Sequence, residues 1–138
     1  MDSFLSSVST TDTKDRLALG AQILEYLAND SNSLVCSDIG FFVDALILWL
    51  QSSNFKIVQL DLDIITELIR RMGLDFQPYT SGLLPHLVDK LGDSKEVIRE
   101  KTLLLFHKLI EYRILTPQTL FDRIALSCFT HKNYNARE

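Results

Sequence analysis

The sequence predicts an all-α protein, a solenoid in which antiparallel helix pairs stack side by side around one continuous core. Three observations predict it. A helix–turn–helix pattern recurs about every 40 residues, the period of a helical repeat array. Leu50–Ile69 aligns with Leu91–Ile110 at an offset of 41 without a gap, placing Ile57 on Ile98, Ile65 on Phe106, Leu68 on Leu109 and Ile69 on Ile110. Fainter copies start at Phe129, offset by 38, with Ala136 in the Ile57/Ile98 place and Arg137 on Arg99, and at Val8, offset by 42, with Ile23 on Ile65, Tyr26 on Leu68 and Leu27 on Ile69. The corners between helices are polar and rich in capping side chains, as in Thr10-Thr11-Asp12-Thr13, Ser52-Ser53-Asn54 and Gly92-Asp93-Ser94. Finally, 138 residues with 46% apolar content suffice for one domain with a core and are too hydrophobic for disorder.

Period and helix-pair build together indicate the HEAT/armadillo type of α-solenoid. Asp2–Ser9 reads as a short first helix. Lys14–Ala28 follows, with Leu17, Ile23, Leu24 and Leu27 on its apolar stripe. Asn29–Ser33 is a polar linker. Ser37 or Asp38 caps a third helix running to Gln51. That helix is apolar nearly all round, so it is expected to be covered on several sides. The fourth helix, Phe55–Met72, carries Val58, Leu62, Ile65, Ile69 and Met72 on one stripe, and Gly73 stops it. Gln77-Pro78 opens a fifth helix ending near Leu91, which Pro85 should bend or limit. The sixth, Lys95–Tyr112, sets a dry stripe of Ile98, Leu105, Phe106, Leu109 and Ile110 against a wet one of Glu100, Lys101, His107, Lys108 and Glu111. Thr116-Pro117 starts a seventh that reaches Phe129, and Thr130–Asn135 is the fourth turn. The seventh helix would lack its antiparallel mate. The chain is therefore expected to be a piece of a longer solenoid, or a short form whose open end a neighbour covers.

Composition narrows the function classes. The net charge of −4 argues against nucleic acid as partner. The longest apolar stretch, Ile39–Leu50, is broken by Asp44 and falls short of the about 20 residues a membrane helix needs, so no membrane insertion is expected. Met1-Asp2-Ser3 opens no secretory signal. Cys36 and Cys128 lie far apart and read as reduced thiols of a cytosolic protein. His86, His107 and His131 lack metal-ligand spacing, and no G-x-S-x-G, P-loop, H-E-x-x-H or phosphate-cradling loop is present. The expectation is a binding protein, not an enzyme, with no cofactor and no metal.

Leu84–Lys101, reading LPHLVDKLGDSKEVIREK, resembles a HEAT repeat of the TOG-domain families, and more closely the first TOG domain of the CLASP microtubule-associated proteins. Ser52-Ser53-Asn54-Phe55-Lys56 is similar to the second-repeat turn of that domain. Phe129-Thr130-His131-Lys132-Asn133 resembles its fourth-repeat turn, and Ala136-Arg137-Glu138 the helix start that follows. A TOG domain has six HEAT repeats. The resemblance implies that residues 1–138 are a partial TOG domain, with repeats at about 2–28, 37–73, 78–112 and an incomplete one at 117–138. It implies a flat paddle whose intra-repeat turns, lined up along one narrow edge, contact tubulin or microtubules. It also implies a regulator of microtubule dynamics located in the cytoplasm on the cytoskeleton, at plus ends, spindle and kinetochore.

Charge supports such an edge. The turns at 10–16, 51–57, 92–99 and 130–138 hold seven bases (Lys14, Arg16, Lys56, Lys95, Arg99, Lys132, Arg137) and five acids (Asp12, Asp15, Asp93, Glu96, Glu138), a net +2 within a chain of net −4. A basic edge suits the acidic tubulin surface. The resemblance thus assigns tubulin contact to Lys14, Arg16, Asn54, Phe55, Lys56, Lys95, Lys132, Asn133 and Arg137. Phe55 is either an exposed aromatic anchor or a staple at the start of the fourth helix, and Tyr134, which aligns with it, poses the same choice. Asp93, Val97 and Arg99 match the Asp…Val-x-Arg pattern of HEAT repeats, in which Asp and Arg bond along stacked turns. Arg137 aligns with Arg99, but His131 holds the Asp place. Many TOG domains carry a tryptophan at the first turn. Here the only tryptophan, Trp49, sits late in the third helix and reads as core. That departure keeps an alternative in play, a HEAT scaffold that binds another protein or associates with itself.

Overall fold

A computed structural model describes the backbone of residues 1–131 and the side chains of residues 1–125. Within it the chain forms helices α1 (Asp2–Leu5), α2 (Thr13–Ala28), α3 (Ile39–Trp49), α4 (Phe55–Met72), α5 (Thr80–Lys90), α6 (Glu96–Glu111) and α7 (Pro117–His131), with a 3-10 segment at Gly73–Tyr79. The even helices α2, α4 and α6 stack in one layer; α1, α3, α5 and α7 form the other. α3 packs on α4 and α5 on α6, closing the two layers on each other. This is the HEAT-like all-α solenoid that the repeat predicts. No helix among the described residues is long and apolar enough to cross a membrane.

Local chemistry sets most helix starts. The Asp12 carboxylate accepts from the Asp15 N–H at 2.9 Å, the Asp38 carboxylate from Phe41 N–H at 3.0 Å, and the Asn54 side-chain oxygen from Lys56 N–H at 2.9 Å. Each satisfies a donor that the first helical turn leaves free, worth about 1 kcal/mol. The Thr116 hydroxyl accepts from Thr119 N–H at 3.1 Å to start α7. Gly73, at φ +57°, ends α4 in a conformation that an L side chain resists.

Four boundaries differ from the sequence reading by two residues or more. α1 stops at Leu5 instead of Ser9, and beyond it the Val8 carbonyl accepts from the Trp49 indole N–H at 3.0 Å. α3 stops at Trp49, two residues early. Gln77-Pro78 lies inside the 3-10 segment, where buried Phe76 packs edge-on against Tyr79, and α5 starts only at Thr80. α5 then continues through Pro85 to Lys90. α7 runs through Thr130 and His131, which the sequence reading gave to the fourth turn.

The core lies between the layers. Phe42, Leu46 and Trp49 of α3, Leu62, Ile65, Leu68 and Ile69 of α4, and Leu105 and Leu109 of α6 share this one core, all fully or almost fully buried. Burying one such side chain stabilises by roughly 1.5–3 kcal/mol. α3 is covered on several sides, as its apolar composition predicts, and is left open on one stripe, where Phe41 and Leu48 are 46% and 56% exposed. Leu103 and Leu104 are also exposed on α6.

Candidate functional site

The corners between paired helices carry the predicted contact residues. At the first corner Lys14 is exposed. Arg16 is half-buried: its Nε donates to the Thr10 carbonyl at 2.8 Å, and its guanidinium lies 5.4 Å from the centre of the Trp49 ring. At the second corner Lys56 is exposed and Asn54 half-buried, with its side-chain oxygen spent on capping α4. Phe55 is 40% exposed, so the ring sits out at the corner and not in the core. At the third corner Lys95 is exposed, and its Nζ stands 4.7 Å from the centre of the Phe55 ring. Lys132, Asn133 and Arg137, with Tyr134, lie outside the described residues.

Two cation–aromatic contacts therefore link successive corners, Arg16 to Trp49 and Lys95 to Phe55. The Trp49–Val8 hydrogen bond ties the end of α3, just before the second corner, to the segment leading into the first. Trp49 is buried, as its sequence position predicts. Its role in tying the corners together was not legible from the sequence.

Arg99 departs from expectation. It does not bond along the stacked turns; it donates to the carbonyl of Asp93 in its own corner at 2.7 Å, and the Asp93 carboxylate accepts from Lys95 N–H at 2.8 Å. Arg16 makes the same six-residue closure onto Thr10. This pairing of roles had a sequence signal, since the offsets of 42 and 41 superpose Arg16 on Arg99.

Ion pairing is denser away from this edge. Among the described residues, Lys14, Arg16, Lys56, Lys95 and Arg99 have no ion-pair partner; off the edge, Arg70, Arg71, Lys90, Lys101 and Lys108 have one, and Arg113 and Arg123 do not. At the opposite end of α4, Arg70 meets Asp30 at 2.8 Å and Glu67 at 2.7 Å. These carboxylates push the guanidinium pKa up, and Arg70 holds that of Asp30 down. Arg71 donates to the Leu27 carbonyl at 2.9 Å and the Asn32 carbonyl at 2.6 Å. That cluster neutralises the carbonyl end of α2 and fastens it to α4, a structural task. Lys14, Lys56 and Lys95, exposed and unpaired, remain available to an outside anion.

Behind the first corner, α4 buries Asp61 completely, with both carboxylate oxygens lacking a hydrogen-bond partner. Burial raises its pKa well above the usual carboxylate range, and the charge of Arg16 offsets this only in part. No group of three or more His, Cys, Asp or Glu side chains converges among the described residues to suggest a metal centre.

No protein-family model matches the chain. All 138 residues align with the CLIP-associating protein of Drosophila melanogaster at 45% identity and with CLIP-associating protein 1-A of Xenopus laevis at 33%. The chain spans only 9% and 10% of those relatives. A solved crystal structure, the MAST/Orbit N-terminal domain, superposes on 99% of the chain with a TM-score of 0.89 and 44% identity; the chain covers 60% of that one.

Proposed function

Because this chain is a homologue of the CLASP proteins over its whole length and has the fold of the MAST/Orbit N-terminal domain, we propose that it is a tubulin- and microtubule-contacting part of a regulator of microtubule dynamics. The contact runs along the corners. Lys14, Lys56 and Lys95 meet acidic tubulin side chains there, and Phe55 packs as the aromatic anchor. The carrying observation is the set of unpaired corner cations beside an exposed aromatic, on a molecule whose other lysines and arginines are largely paired. Such an arrangement steers an anionic partner and then desolvates an anchor against it. Lys132, Asn133 and Arg137 continue the same edge in this reading, as the fourth corner of a partial TOG domain. The place of action is the cytoplasmic microtubule cytoskeleton, including spindle and kinetochore. Gel filtration with soluble tubulin and co-sedimentation with microtubules test it. Co-elution or pelleting that weakens with salt supports the proposal, and neither at tens of micromolar tubulin refutes it.

One observation favours the alternative scaffold reading. The tryptophan that many TOG domains carry at the first turn has no exposed counterpart here, because Trp49 is buried, and Arg16 is spent on Thr10 and Trp49. A scaffold would hold another protein, or a second copy, without tubulin. Light scattering of the chain alone and with tubulin separates the two readings.

A further inference from the structure

A groove runs beside the first corner along the outer side of α3, with a volume of about 250 Å³. Its floor includes the buried side chains of Val8 and Trp49, and its walls are the exposed Phe41 and Leu48. Phe41, Asp44 and Leu48 fall on one stripe of the helix, spanning about 10 Å. The volume lies below the about 300–1,000 Å³ typical of small-molecule sites, and suits one or two side chains of a protein segment.

Charge identifies the occupant. Asp44 lines the groove, is exposed, and has neither an ion pair nor a hydrogen bond among the described residues. The groove's other charge, Arg16, is already engaged by the Thr10 carbonyl and the Trp49 ring. The wall therefore offers a free anion beside an apolar slot. We propose that this groove docks a short amphipathic helix of a partner protein, inserting a large apolar side chain between Phe41 and Leu48 and setting a lysine or arginine one turn away against Asp44. Asp44 and Leu48 stand one turn apart on α3, and a helix laid along the slot places an apolar anchor and a basic residue at the matching one-turn spacing. The partner is basic at the contact, opposite in sign to the anionic surface proposed for the corners.

The test uses the whole chain, ¹⁵N-labelled, titrated with two alanine-based helical peptides. Both carry one leucine; one turn on, the first carries lysine and the second glutamate. The lysine peptide is expected to move the Trp49 indole resonance and the amides of Ser9, Asp44 and Leu48, and to bind about two- to fivefold more tightly than the glutamate peptide, the range of an exposed ion pair. Asp44→Asn should level the two peptides, and Leu48→Glu, at an exposed position that leaves folding intact, should abolish binding. Shifts scattered over the surface, no shifts at millimolar peptide, or preference for the glutamate peptide would overturn the proposal. So would a Leu48→Glu variant that loses tubulin while still binding the lysine peptide, since the groove would then belong to the tubulin edge.

Discussion

The Lys95 ammonium stands 4.7 Å above the centre of the Phe55 ring, joining the corner that opens α6 to the corner that opens α4. An exposed cation–aromatic contact is worth about 0.5–1 kcal/mol. That suffices to hold Phe55 and Lys95 together as one patch, yet leaves both accessible. Phe55→Ala should therefore lower the melting temperature little and weaken tubulin binding about tenfold or more, as loss of an interface anchor does. Fluorescence anisotropy with labelled tubulin, beside a thermal melt, checks both halves.

Leu105 and Ile65 are wholly buried between the layers. Replacing either by alanine should cost roughly 2–5 kcal/mol, through lost burial and the cavity left behind. Urea denaturation followed by circular dichroism measures this. A cost below about 1 kcal/mol at both positions would place the core elsewhere.

Trp49→Phe keeps a ring in the core but removes the indole N–H that bonds to the Val8 carbonyl. Leaving that carbonyl without its donor should cost about 1–3 kcal/mol. Hydrogen exchange should quicken first around Ser7–Thr10, while the amides of α6 stay protected.

Asp61 yields a pH prediction. Its pKa is raised in the folded state, so the folded chain holds more protons than the unfolded one above the ordinary carboxylate pKa of 3.8. The stability tied to its neutral form is thus complete below that value and is lost as pH rises towards the folded pKa. Asp61→Leu should flatten this fall and, at neutral pH, stabilise by about 1–3 kcal/mol by removing an unsatisfied buried carboxyl. Denaturant titrations of both proteins between pH 4 and 8 should diverge as pH rises. Parallel curves would mean that Asp61 meets water or a partner.

Much of the architecture was legible because it rests on periodic signals. The fourth helix was read as Phe55–Met72, its observed extent, since Asn54 and Gly73 mark both ends by local chemistry. The first helix was overextended: the chain turns after Leu5, and Val8 is buried with its carbonyl bonded to Trp49, a contact 41 positions away that local sequence does not signal. The same long-range dependence hid the groove. The third helix reads as apolar nearly all round, and only the packing of α3 leaves Phe41 and Leu48 outside. Asp61 sits on an apolar stripe with no sequence sign that its carboxylate goes unpartnered. At the corners, sequence supplied the residue types, while the division of labour between structural Arg16 and Arg99 and unpaired Lys14, Lys56 and Lys95 depends on geometry.

Two triple charge reversals with equal change in net charge put the corner edge to the most direct test. One variant replaces Lys14, Lys56 and Lys95 by glutamate; the other replaces Lys90, Lys101 and Lys108. Tubulin affinity of each, measured at a fixed ionic strength with folding checked by circular dichroism, distinguishes place from total charge. The corner variant should lose binding and the second should keep most of it. Equal loss in both, or undiminished binding by the corner variant, would contradict the edge as the tubulin-contacting surface.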